Sequence, residues 1–227
     1  MVAIVGYKGL LGSSLYDSFK SSDLIGIDKN NYHEHIGKSF DVLINANGNS
    51  KKYLAENKPL LDFDLSVLSV YNTLKDFKIK KYIYISSIDV FKHNVYGQHK
   101  LIAESLVRNN FSDYLILRCP MIIGNNMQKG IIFDILNNKK IYTSKESKLQ
   151  IILNTEISTI ISYLTSYKGI LNICPKSIKV SKIISILNKD VKINDNPKLE
   201  LYNYKSDVLT RSSEFYIKKY YEIIKKY

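Results

Sequence analysis

Tyr96-Gly97-Gln98-His99-Lys100 sets a phenol and an ammonium four residues apart, a spacing that puts both on one helix face. A neighbouring ammonium favours the phenolate and lowers a tyrosine from its reference value near ~10. Such a tyrosine can exchange a proton with a substrate hydroxyl or carbonyl. The spacing alone carries little, because tyrosine and lysine are both abundant and roughly two such pairs arise by chance. The chain holds four: Tyr16/Lys20, Tyr71/Lys75, Tyr96/Lys100 and Tyr221/Lys225. Context selects the third. It alone follows an apolar run that ends in hydroxyls, Tyr82-Ile83-Tyr84-Ile85-Ser86-Ser87. Ligands of an open parallel sheet bind beyond the carboxyl ends of its strands, so Ser87 is placed to hydrogen-bond the reacting oxygen, with Tyr96 a short loop away.

A second constellation lies at the start of the chain. Gly6-Tyr7-Lys8-Gly9-Leu10-Leu11-Gly12 is a G-x-x-G-x-x-G run between a strand-like segment, Val2–Val5, and a helical one. In such a run the first glycine makes the turn, the next lets the backbone approach a pyrophosphate, and the last lets helix and strand pack closely. The helix N-terminus adds N–H groups and partial positive charge for the phosphates. Three glycines so placed occur by chance only roughly 0.02 times per chain of this composition, so a dinucleotide cradle is the favoured reading over a ligand-free turn. Asp28, 22 residues past Gly6, ends the next strand-like run. A carboxylate there accepts from the adenosine ribose and repels a 2′-phosphate, which favours NAD over NADP; the adjacent Lys29 works against that preference. Asn45-Ala46-Asn47-Gly48 closes a later strand and is expected to line the cofactor's other side.

The elements that must position these residues alternate. Strand-like runs at 2–6, 24–27, 42–46, 82–86, 114–118 and 170–173 are separated by helical stretches at 10–19, 60–77, 96–108, 131–136, 157–164 and 180–187. Strands that are apolar throughout and separated by helices argue for a parallel sheet covered on both faces. The expected fold class is α/β, a Rossmann-like doubly wound parallel sheet with a small C-terminal substrate lobe. The interval from Asp28 to Asp41 is too short for a helix, a strand and their connections, so the sheet is shortened after its second strand and left open at that edge.

Taken in order, these pieces resemble the extended short-chain dehydrogenase/reductases, the sugar-nucleotide epimerase, dehydratase and reductase family. The resemblance rests on the glycine run, Asp28, Asp41-Val42-Leu43-Ile44-Asn45-Ala46, Ser86-Ser87-Ile88-Asp89-Val90-Phe91, Tyr96-x-x-x-Lys100 and Leu117-Arg118-Cys119-Pro120 up to Gly124. It spans roughly residues 1–190. It implies a nicotinamide cofactor held by Gly6, Gly9, Leu10, Leu11, Gly12, Asp28, Asn45, Ala46, Asn47, Tyr96, Lys100 and Pro120. It implies catalysis by Ser87, Tyr96 and Lys100, with Lys100 also a ribose ligand, and a nucleotide-sugar substrate touched by Ser87, Asn125 and Asn126. The stretch at 41–46 is similar to that of dTDP-4-dehydrorhamnose reductases. Three features depart from the pattern: only nine residues separate Ser87 from Tyr96, Phe91 stands where tyrosine is common, and Met121 stands where many epimerases have asparagine. The chain is also shorter than most members. The domain expectation is one unit over 1–227, with a dinucleotide-binding core at 1–124 and 150–175 and a lobe at about 125–148 and 176–227. A homodimer through the helices at 60–77 and 96–108 is a further implication. The alternative is a non-catalytic dinucleotide-binding regulator or scaffold of the same fold, motivated by the short 88–95 loop.

Composition narrows the classes. With 227 residues, 45% hydrophobic and 24% charged, the chain can bury a core without staples and does not read as disordered. No apolar run approaches the ~20 residues of a membrane span, and with Met1 followed at once by the strand-like Val2-Ala3-Ile4-Val5 no signal segment is expected. Two cysteines, Cys119 and Cys174, do not make a disulfide scaffold, so a cytoplasmic protein is expected. The net charge of +12 is almost all lysine, with Arg108, Arg118 and Arg211 the arginines. Nucleic-acid readers lean on arginine, so a solvated lysine surface is the reading and nucleic acid is not an expected partner. His33 and His35 read as surface residues and no metal site is expected. His99 reads as solvent-facing or packing, Arg118 as structural, and Cys119 as a small buried group. The amphipathic Lys218–Lys226 reads as a terminal helix rather than a membrane-surface one.

Overall fold

The computed structural model describes residues 1–19 and 23–226; Lys20 of the Tyr16/Lys20 pair and Tyr227 of the C-terminal tail lie outside them. In chain order the first elements are β1 (Val2–Val5), α1 (Leu10–Ser18), β2 (Leu24–Ile27), β3 (Ser39–Asn45), α2 (Lys52–Asn57), α3 (Pro59–Phe63), α4 (Ser69–Asp76), β4 (Lys78–Ser87), α5 (Val95–Asn110) and β5 (Tyr114–Cys119). Then come β6 (Met121–Ile123), α6 (Ile131–Leu136), β7 (Ile141–Thr143), β8 (Lys148–Leu149), β9 (Ile151–Leu153), α7 (Asn154–Tyr163), β10 (Gly169–Asn172), β11 (Ile178–Lys179), α8 (Val180–Leu187), β12 (Ile193–Lys198) and α9 (Ser213–Ile224). Two compact units result: Met1–Cys119 with Ile157–Asn172, and Pro120–Glu156 with Ile173–Tyr227.

The first unit is built on a parallel sheet in the order β10-β5-β4-β3-β1-β2. Its strands are apolar on both faces: Ala3, Ile4, Leu43, Ile44, Ile83, Tyr84, Leu115, Ile116 and Leu117 are all fully buried. That is the signature of a sheet covered on both sides. The 28–41 interval holds only a 3₁₀ turn, Tyr32–His35, and β2 ends the sheet, as the short interval predicts. The missing helix is replaced by local pinning. Tyr32 Oη donates to Asp76 at 3.1 Å, Gly37 N–H donates to the Asp76 carbonyl, and the Tyr32 ring packs on Phe77. His35 departs from its expected surface position: it is buried, with Nδ1 3.1 Å from Lys38 Nζ. Burial, then Lys38, depresses its imidazole below the ordinary histidine value.

The helical run expected at 60–77 is continuous but not uniform. Pro59 opens α3 at a position where its missing N–H is not needed, and a π-helical turn, Asp64–Leu68, joins α3 to α4. One extra residue in a turn is a local distortion often found at functional sites. Helix α5 opens with Asn94, whose side chain accepts from Gly97 N–H at 2.7 Å. It buries Tyr96, Lys100, Ala103, Glu104 and Val107 along one stripe.

The second unit carries short strand pairs that the sequence reading did not anticipate: β6 with β9, β7 with β12, and β8 with β11. These strands run two to six residues, too short for an alternation pattern to register. The terminal helix forms, beginning at Ser213, and Ser212 caps it by accepting from Phe215 N–H.

Candidate active site

The glycine run forms a compact turn between β1 and α1. Gly6 has φ +82°, and a Cβ there would meet the Asn47 backbone nitrogen at 2.9 Å; a Cβ on Gly12 would overlap the Gly6 carbonyl oxygen. Gly9 caps α1, with no side chain bonded to the helix end and no acidic residue in its first turn. A backbone cradle of this shape leaves helix N–H groups facing a phosphate-sized ligand, so the local geometry fits a dinucleotide. Leu10 is half-buried and Leu11 buried.

Asp28 closes β2 in a turn. Its Oδ1 accepts from Asn30 N–H at 2.9 Å, its own N–H donates to Asn31 Oδ1, and its Oδ2 pairs with Lys8 Nζ. The Lys8 ammonium, then the Asn30 N–H, holds this carboxyl below the usual range. The sequence reading had set Lys29 against Asp28; the cation that meets it is Lys8, from within the glycine run.

Asn45 ends β3 fully buried. Its Oδ1 accepts from Asn47 N–H at 3.0 Å and its Nδ2 donates to Tyr82 Oη at 2.7 Å, which also meets Thr73 Oγ1. Both ends of the Asn45 amide thus shape the turn, and it is the backbone of Ala46 and Asn47 that packs on Gly6.

Helix α5 brings its phenol and ammonium to the carboxyl end of β4. Ser87, Tyr96 and Lys100 are all buried. Ser87 Oγ accepts from Asp89 N–H at 3.1 Å and donates to Asp89 Oδ2 at 3.3 Å, and the Ser87 hydroxyl also meets the Tyr96 phenol. Lys100 Nζ stands 5.7 Å from the Tyr96 ring centre and 3.5 Å from Tyr84 Oη. The short 88–95 loop is a 3₁₀ turn, Ile88–Phe91, and glycine at 97 lets it close: a Cβ there would overlap the Asp89 carbonyl oxygen. Asp89 is itself paired with Lys52 at 3.0 Å.

The two constellations meet on one loop. Gly6 packs on Ala46 and Asn47, and a Cβ on the next residue, Gly48, would lie 3.3 Å from Lys100 Nζ. The ionisation pattern differs from the simple pair expected. Burial, then Asp89 and Asp62, holds the Tyr96 phenol well above the ordinary tyrosine value, with the Ser87 hydrogen bond acting the other way. Burial brings Lys100 down to about 8, against a smaller opposing pull from Asp62, Cys119 and Glu104. In this structure the site therefore keeps a proton on Tyr96 and leaves Lys100 able to titrate near neutral pH.

Pro120 is buried at the start of the second unit, and Asn125 and Asn126 form an exposed turn within it. Arg118 is structural: it pairs bidentately with Glu104, which also accepts from Ser86, and it covers the Phe91 ring. Cys119 and Cys174 are buried and are not joined in a disulfide. Among the described residues no His, Cys, Asp and Glu cluster has metal-binding spacing, and no helix is long and apolar enough to cross a membrane. Asp62 was missed altogether, and His99, set aside as solvent-facing or packing, bonds it: His99 Nδ1 is 2.6 Å from Asp62 Oδ2. No spacing rule links positions 62 and 99; only the placement of α3 against α5 joins them.

No protein-family model matches the chain, and neither does any curated protein sequence. Solved structures do. A UDP-N-acetylglucosamine 4-epimerase from Methanobrevibacter ruminantium M1, in complex with UDP-N-acetylmuramic acid, matches with TM-score 0.77 and 16% identity over 100% of this chain and 98% of that one. MoeE5 in complex with UDP-glucuronic acid and NAD gives TM-score 0.84 and 12% identity over 99% of each chain. A dTDP-4-dehydrorhamnose reductase from Bacillus anthracis in complex with NADP gives 0.77 and 17% over 98% of each. The fold is that of the extended short-chain dehydrogenase/reductases. At these identities the likeness to dehydrogenase/reductases is one of fold, and the chemistry has to be argued from the residues themselves.

Proposed function

We propose that this protein is a nicotinamide-dependent oxidoreductase acting on a nucleotide-linked sugar, as an epimerase, dehydratase or 4-keto reductase, with NAD preferred. The observation that carries the reading is the meeting of the glycine cradle and the Tyr96/Lys100 face of α5 on the single loop 46–48. The family whose fold the chain shares includes enzymes solved with nucleotide sugars and with NAD or NADP, which supports the substrate class and leaves the cofactor choice to Asp28.

In this reading Gly6, Gly9, Leu10, Leu11 and Gly12 hold the pyrophosphate by backbone contact. Asp28, kept ionised by Lys8, accepts from the adenosine ribose; Asn45 shapes the turn from which Ala46 and Asn47 line the site, and Pro120 is assigned to the cofactor. A bound nicotinamide supplies or accepts the hydride. Tyr96 holds the proton that the substrate oxygen needs, Ser87 hydrogen-bonds that oxygen, and Lys100 orients the ribose and stabilises the phenolate when Tyr96 gives its proton up. Asn125 and Asn126 are assigned to the sugar or its phosphates. The reading includes a homodimer through α3, the π-helical turn, α4 and α5, whose outer faces expose Leu60, Leu65, Leu68, Tyr71, Leu101 and Ile102; light scattering on Leu68→Glu against wild type checks it.

Thermal unfolding with NAD(H), NADP(H) and a panel of UDP- and dTDP-sugars tests the function, since a ligand that binds only the native state raises stability. The expected result is a larger rise with NAD(H) than with NADP(H), and turnover of at least one sugar followed by nicotinamide absorbance. A larger rise with NADP(H) removes the assigned role of Asp28. Turnover that survives Tyr96→Phe removes Tyr96 from the mechanism.

A further inference from the structure

Asp62 is a fully buried carboxylate on α3, and all its partners lie in the first unit. Oδ1 accepts from Asn49 Nδ2 at 2.6 Å and from Ser66 Oγ at 3.3 Å, and Oδ2 accepts from His99 Nδ1 at 2.6 Å. A ring nitrogen facing a carboxylate is the one that carries the proton. The His99 ring is also held edge-on to Phe63, with ring centres 5.4 Å apart. Three segments are thereby tied at one point. Asn49 follows Gly48 in the loop that lines the cradle and locks that loop by bonding Lys51 N–H and the Lys51 carbonyl. Ser66 lies in the π-helical turn, and His99 immediately precedes Lys100.

We infer that Asp62 and His99 form a positioning pair for Lys100: they fix α5 against the 45–51 loop so that Nζ stands at Gly48, and they hold a buried negative charge where it acts on that ammonium. The space around Nζ supports this. The Gly48 Cβ direction, 3.3 Å from Nζ, is also bounded by the Leu65 carbonyl and by Ser66 Oγ, both from the π-helical turn. Tyr84 from β4 and Tyr96 from α5 stand against Lys100, and the acidic groups whose field acts on it are Asp62 from α3, Cys119 from β5 and Glu104 from α5. Of the two carboxylates, Glu104 is already matched by Arg118, and Asp62 is held by polar hydrogen bonds and by His99. A buried lysine loses its charge readily; Asp62 is the first of the groups that oppose this. Without one of its short hydrogen-bond donors, a buried carboxylate in turn keeps its charge less readily.

The inference rests on the proposed role of Lys100, but its test does not need turnover. Lysine side chains labelled with carbon-13 are titrated by NMR in the full chain, with Lys100→Met identifying the resonance. Wild-type Lys100 is expected to titrate near pH 8. In Asp62→Asn the midpoint falls by about one pH unit, tenfold in the ionisation constant. His99→Phe lowers it as well, and His99→Asn, which keeps an N–H near the Nδ1 position, restores it. Where turnover is found, the limb of the kcat/KM profile governed by Lys100 moves by the same interval while KM for the sugar stays within threefold. A Lys100 midpoint unchanged in Asp62→Asn, with only a lower unfolding temperature, overturns the inference and leaves a structural pair. If Asp62→Asn does not fold, the His99→Phe and His99→Asn comparison decides in the same way. A Lys100 that responds as expected in a protein that turns over no nucleotide sugar upholds the pair and removes the enzyme reading instead.

Discussion

Two buried carboxylates near Lys100, Glu104 on α5 itself and Asp62 on α3, are held differently. Glu104 receives two parallel bonds from Arg118 and one from Ser86, so its charge is matched at contact, it ranks behind Asp62 among the groups acting on Lys100, and the pair joins α5 to β4 and β5. Asp62 receives hydrogen bonds from Asn49, Ser66 and His99. Among the described residues these satisfy its lone pairs without a lysine or arginine partner, and its field reaches Lys100 and Tyr96. A bidentate guanidinium makes a carboxylate a staple; amide, hydroxyl and imidazole donors leave it able to act on its neighbours. One residue class thus serves cohesion on α5 and electrostatics on α3.

The largest expected effect sharpens the staple half. Arg118→Ala strands Glu104 in the interior and should lower stability by about 3–5 kcal/mol, measured by urea unfolding, while turnover per folded molecule stays near wild type. A loss of turnover greater than the loss of folded protein would break the contrast. Next is Tyr96→Phe. It removes the proton donor without a buried charge change, and turnover should fall by roughly 10²- to 10⁴-fold with the unfolding temperature unchanged or raised. Third, Lys100→Met bears on the electrostatic half. A lysine whose folded value is about 8 against a usual 10.5 binds its proton less well when folded. It therefore costs stability below pH 8, and that cost fades as pH rises from about 8 to 10.5. Lys100→Met should raise stability at pH 7 by up to about 3 kcal/mol and flatten the wild-type rise above pH 8. Denaturant curves across that range decide it, and an undiminished rise in the variant would shift its origin to another group. The smallest effect concerns the cradle: Lys8→Ala should weaken NAD(H) binding by only a few-fold, because the Lys8 side chain is exposed and surface pairs contribute little.

Much of this was legible in residue order. Strands apolar throughout, between helical stretches, gave a parallel α/β sheet, and the short 28–41 interval gave its trimmed edge. The glycine run, Ser87 and the Tyr96/Lys100 spacing marked the candidate site, because each is a local pattern within one or two elements. The strand pairs of the second unit were not legible, since each includes a strand of only two or three residues, which has no period to read. Nor was the partner of Asp28: the sequence neighbour is Lys29, but the turn at Gly6 swings Lys8 to the carboxylate.

The sequence by itself determined which backbone can approach a phosphate and which helix face carries the phenol and ammonium, because glycine and a four-residue spacing act locally. Only the tertiary structure decided the charges those groups feel. Burial of Tyr96 and Lys100, and the meeting of Asp62 with His99 across 37 positions, depend on how α3, α5 and the β3–α2 loop pack. Desolvation and Coulomb fields follow distance in space, not separation along the chain.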